Sequence, residues 1–126
     1  MLQINLSDEQ KKWLDDTKKF IDNKKWKEAL EYIERIQKNM EGPHAAMIMV
    51  YRGLADRGLG NKDATQSFMT ALSVVNYAPK TYGYAQFIRA EAARYLGMKP
   101  EAKESYNAVL AVDKNNKEAK EGLAAI

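Results

Sequence analysis

There is no cysteine in this chain. That excludes a disulfide framework and a thiolate nucleophile. Histidine occurs once, at His44, with no cysteine or second histidine to join it, which argues against a zinc site. Proline and glycine together supply only ten residues, scattered along the chain, as suits helices joined by short turns. No apolar run approaches the roughly 20 residues that span a bilayer. The opening MLQINLSDEQKKW has no basic segment followed by a long apolar run, so it does not read as a signal peptide. The expectation is a soluble, cytoplasmic protein without a membrane partner. An excess of one charge is also missing: 20 basic and 17 acidic residues are intermixed, for a net charge of +3. The densest basic stretch, 18–27, is interrupted by Asp22 and reads as a solvated helix end, so no nucleic-acid partner is expected.

Catalytic patterns are sparse too. Ser67 and Ser105 occupy equivalent slots in a repeat described below, which points to structure and not to a nucleophile. Gly53, Gly58 and Gly60 follow no strand and form no phosphate loop. Asp15, Asp16 and Asp56 lie among lysines or arginines and read as surface pairs. The expectation is no enzyme, no cofactor and no metal. Alternation with period two occurs only over residues 2–6, too short to found a sheet.

What the chain does contain is helical periodicity. With 45% apolar and 29% charged residues it has the composition of one globular domain, taken as 1–126. Ser7 and Gln10 form a capping box before a helix over 8–22. Further helices are predicted over 26–40, 44–58, 62–76, 82–96 and 100–112, with a short last one after Asn115–Glu118, itself read as a second capping box. Asn61 is the expected cap of the fourth. Pro43 and Pro100 suit first turns. Met47-Ile48-Met49-Val50 reads as core between two helix layers, and Tyr77, Tyr82 and Tyr84 as packing around a turn.

The even-numbered helices repeat one another. Ala29, Ile33 and Ile36 recur as Ala64, Phe68 and Ala71, and again as Ala102, Tyr106 and Val109, with the alanines 35 and 38 residues apart. Each set follows a turn: Asn23-Lys24-Lys25, Gly60-Asn61-Lys62 and Gly97-Met98-Lys99. Arg52, Arg57, Leu59 and Gly60 return as Arg89, Arg94, Leu96 and Gly97, 37 residues on. An alanine lets two antiparallel helices cross closely, and the large residue one turn later fills the gap beside it.

In this pattern the chain resembles the tetratricopeptide repeat (TPR) family, whose unit is a helix pair of about 34 residues. Trp13, Phe20 and Ala29 stand at the family's tryptophan, tyrosine and alanine positions, and Lys99-Pro100-Glu101-Ala102 with Tyr106 resembles its second helix. The chain departs from it in lacking a closing proline at Glu41, Asn76 and Lys114, and in placing Arg52 and Arg89 where a small residue is usual. The resemblance implies an all-α fold, a right-handed α-α superhelix (solenoid). It would hold three TPR-like helix pairs over 7–41, 43–78 and 80–115 and a capping helix over 116–126. It also implies a non-catalytic protein–protein interaction module, whose concave groove takes a peptide, helix or loop of a partner. The expected groove residues are Lys18, Met49, Arg57, Gln86 and Arg94. Arg57 and Arg94, being repeat-equivalent, suit an acidic partner or a free carboxylate. The alternatives are a homodimer through the N-terminal end, where Leu2, Ile4 and Leu6 are apolar, and an engineered scaffold without a native ligand.

Overall fold

The computed structural model describes residues 6–126. Among the described residues there are seven α-helices and no strand: α1 Asp8–Asp22, α2 Trp26–Ile36, α3 Gly42–Gly58, α4 Ala64–Val75, α5 Gly83–Tyr95, α6 Lys99–Val112 and α7 Lys117–Ala124. The expected all-helical fold is present. Among the described residues no helix is long and apolar enough to cross a membrane. Residues 2–5 of the short alternating stretch lie outside the described residues, while Leu6 packs beside Trp13 and Ile33.

Local chemistry sets most helix ends. Ser7 Oγ accepts from Gln10 N while the Gln10 side chain accepts from Ser7 N, closing the expected capping box. Pro43 and Pro100 both lie in first turns. Two caps differ from expectation. Asn61 does not cap α4; its Nδ2 donates to Asp56 Oδ1 instead, and Asp63, at the cap position, makes no side-chain cap bond. Asn116, not Asn115, caps α7, accepting from Ala119 N at 2.9 Å. The α-helical part of α2 also ends early, because a single 3-10 turn, Gln37–Asn39, tightens its last residues.

The first three odd-numbered helices end in the same way. Lys24, Gly60 and Gly97 have φ of 58°, 74° and 78°. The next residue's N–H in each case reaches back five positions at 2.8 Å: Lys25 to Phe20, Asn61 to Asp56, and Met98 to Ala93. This is a left-handed helix stop of the Schellman type, repeated 36 and 37 residues apart. Glycine takes that conformation freely, whereas Lys24 carries a strain of roughly 1 kcal/mol. The internal repeat read from side chains is therefore matched in the backbone.

Packing follows chain order. Each odd helix packs on the next odd one, and α2, α4 and α6 each pack against the odd helices on either side of them. All nine residues of the even-helix pattern are buried, from Ala29 at 0% exposed to Ala64 at 9%. Ala29 lies with Ile21 of α1 and Ala55 of α3. Ala64 lies in the central cluster with Val50 of α3 and Ile88 of α5. Ala102 lies with Ala93 of α5 and Ala119 of α7. Each alanine thus sits where an even helix meets the odd helices beside it. Met47, Ile48 and Val50 are buried between the layers, as expected. Tyr82 and Tyr84 pack on the central cluster, but Tyr77 is 93% exposed and packs on nothing.

The arginines that replace small residues also have a common role. Arg52 donates to Gln37 Oε1 at 3.2 Å, and Arg89 to Asn76 Oδ1 at 3.4 Å and Ser105 Oγ at 2.6 Å. Each reaches the end of the preceding even helix, so a long side chain spans a junction that a small one would close by contact. Ser105 is buried as the acceptor of that bond.

Gly53 marks a close approach of α3 to α4. A Cβ there would stand 2.5 Å from a ring carbon of Phe68, itself 0% exposed. Helix propensity favours Gly→Ala by roughly 0.5–1 kcal/mol, but forcing a methyl into a filled core costs about 1–3 kcal/mol. The ring has nowhere to go, so Gly53→Ala is expected to destabilise the fold by about 1–2 kcal/mol. Urea denaturation measures it, and a stabilised variant would show that the ring can yield.

Candidate functional site

The odd helices, with the C-terminal end of α6, bound one concavity. Two adjoining hollows of about 450 and 400 Å³ share Lys18, Met47, Tyr51, Phe87 and Glu118. The first extends over Leu14 and Asp15 of α1, Tyr84 of α5, Val112 at the end of α6, and Asp113 and Asn116 in the turn before α7. The second extends over Ile21, Leu54, Glu91 and Arg94. The floor is apolar and aromatic, and the rim is charged. Burial pushes the Tyr51 and Tyr84 phenols well above the usual tyrosine range. Neither carries a side-chain hydrogen bond among the described residues.

The five expected contact residues separate here. Lys18 and Arg94 line the concavity. Met49 is half-buried against the central cluster. Gln86 is a correction: it is 1% exposed, and its Nε2 donates to the carbonyls of Ala78 and Pro79, so it fastens the turn before α5 and presents nothing to a partner. Arg57 is a second correction to the pairing of two arginines on one wall. Its guanidinium lies over the Phe68 and Tyr95 rings at 5.1 and 5.3 Å and donates to the Tyr95 carbonyl at 2.7 Å. It does not line the concavity with Arg94.

The cations that do line it are already paired. Lys18 Nζ meets Asp22 at 2.8 Å, and this bond raises its pKa above the usual lysine value. Arg94 meets Glu91 at 3.5 Å, and Lys117 meets Glu121 at 4.0 Å. Glu91 also accepts from the Tyr106 hydroxyl. Burial pushes the Glu91 carboxyl above its usual value, against the pull of Tyr106 and Arg94. Asp56, expected at the surface, is instead 6% exposed and accepts from Asn61. Among the described residues no group of three or more potential ligands could hold a metal ion.

Sequence reasoning missed Tyr84, Phe87, Glu91 and Glu118 as lining residues. One signal was available. The 37-residue echo that links Arg52 to Arg89 also carries Met47 onto Tyr84 and Leu54 onto Glu91, all four of which line the concavity. Comparison with known family models and with curated proteins finds no significant match to the chain.

Proposed function

We propose that the chain is a non-catalytic protein-binding module of TPR type. In this reading it is a right-handed superhelix of three helix pairs closed by α7, and its concave face takes a peptide, helix or loop of a partner protein. The observation that carries the reading is the concavity itself: α1, α3 and α5 pack in sequence and turn a continuous apolar floor of Leu14, Met47, Tyr51, Tyr84 and Phe87 toward one hollow. The repeated Schellman stops and the buried Ala-x3-large-x2-apolar pattern support the family assignment. Partly buried aromatics on a rigid frame supply contact area at low entropic cost, as binding surfaces need.

Two matched valines allow a test. Val112 and Val74 are both 51% exposed, but Val112 borders the concavity and Val74 lies on α4 outside it. Peptides selected from a random library on the immobilised chain should lose roughly tenfold or more in affinity to Val112→Trp, which fills the hollow. They should bind Val74→Trp unchanged. Equal losses in both variants, or in neither, would reject the concavity as the binding face.

A further inference from the structure

We propose that the occupant of the concavity is a cationic amphipathic segment. Its apolar side chains would rest on Tyr51, Tyr84 and Phe87, and its lysines or arginines would meet Asp15, Asp113 and Glu118. The proposal rests on the concavity being the binding face and adds the chemistry of the partner.

The charge arrangement decides the sign. Six carboxylates line the two hollows, against three cations. Lys18, Arg94 and Lys117 are each matched to one of them, Asp22, Glu91 and Glu121. Asp15, Asp113 and Glu118 remain without an ion-pair partner among the described residues; Asp113 only accepts from the Asn116 amide, at 3.3 Å. The chain as a whole is +3. The negative excess is therefore local, and a concave apolar wall concentrates its field. That field reaches the floor: Glu118, Asp22 and Glu91 all act on the Tyr51 hydroxyl in the direction that opposes its ionisation.

An incoming lysine or arginine gains twice. It meets unpaired carboxylates at the rim, and the faces of Tyr51, Tyr84 and Phe87 attract cations on the floor. An acidic segment would meet like charge, and to reach Lys18 or Arg94 it would have to displace a carboxylate already in place. The acidic partner expected from Arg57 and Arg94 is thus the less favoured one, because those guanidiniums are engaged with Tyr95 and Glu91.

Fluorescence anisotropy with three labelled peptides tests this. The peptides share one leucine pattern and one length, and carry lysine, glutamine or glutamate on the polar face. The lysine peptide should bind roughly tenfold tighter than the glutamine peptide, with the glutamate peptide weakest. Added salt should narrow the gap. In the triple variant Asp15→Asn, Asp113→Asn, Glu118→Gln, made at exposed positions, the lysine peptide should fall to the glutamine peptide's affinity. Glutamine or glutamate peptides binding as tightly as lysine, or a lysine preference that survives the triple variant, overturn the proposal. If binding in those cases is still lost in Val112→Trp, the concavity stands as the binding face and only the partner's charge is wrong. If no peptide binds, or Val112→Trp has no effect on binding, both readings fail together.

Discussion

Phe68→Ala should lower the stability of the protein by about 3–5 kcal/mol, the cost of emptying a fully buried aromatic site. Phe68 is 0% exposed and belongs to the central cluster with Val50, Ala71 and Ile88. Its ring stacks on Tyr95 at 5.3 Å and carries the Arg57 guanidinium on it at 5.1 Å. One wall of its site is Gly53, which has no side chain to move into the void. The cavity therefore cannot collapse, which places the cost toward the upper end of that range. For a domain whose total stability is about 5–15 kcal/mol, this is a large share. Urea denaturation should show a lower midpoint with an unchanged slope. A loss under about 1 kcal/mol would mean that α3, α4 and α5 do not converge on this ring.

Tyr106 is the second such site, and its effect should depend on pH. Its ring is 0% exposed, and a Cβ added at Gly122 would stand 2.3 Å from it, so α7 packs directly on it. Tyr106→Ala should cost about 3–5 kcal/mol. Tyr106→Phe isolates the hydroxyl, which donates to Glu91. Burial raises the folded-state pKa of Glu91 above its unfolded value. Its contribution to stability is thus fully present below the unfolded pKa and is lost as pH rises through the folded one. The hydroxyl favours the ionised carboxylate and limits that loss, together with Arg94. Without it the folded pKa rises further. The penalty of Tyr106→Phe should therefore be small in acid, where Glu91 is protonated in both proteins. It should grow to about 1.5–3 kcal/mol at neutral pH, the worth of a hydrogen bond to a charged group. Denaturation of both proteins across that range measures the gap. A penalty that is constant with pH would assign the effect to packing alone.

Both sites were legible in part. Phe68 and Tyr106 stand out in the sequence as the large residues of a repeated pattern. Their partners did not. Nothing local to position 106 says that Glu91, on the preceding helix, takes its hydroxyl, or that Gly122 seats α7 against its ring.

The sequence by itself determined the helices and their order. Apolar spacing near 3.6 residues, a capping box at Ser7 and the left-handed stops at Gly60 and Gly97 act within a few residues of chain, and these can be read without a fold. The structure alone decided what the helices turn toward one another. A shift of one residue rotates a helix face by about 100°, so the partial exposure of Phe87 and the full burial of its neighbour Gln86 depend on contacts with other helices. Lys18 and Glu118 lie a hundred residues apart, yet they line the same hollow because α1 and α7 flank it. Charge pairing across such a hollow is a property of distance in space, and only folding sets that distance.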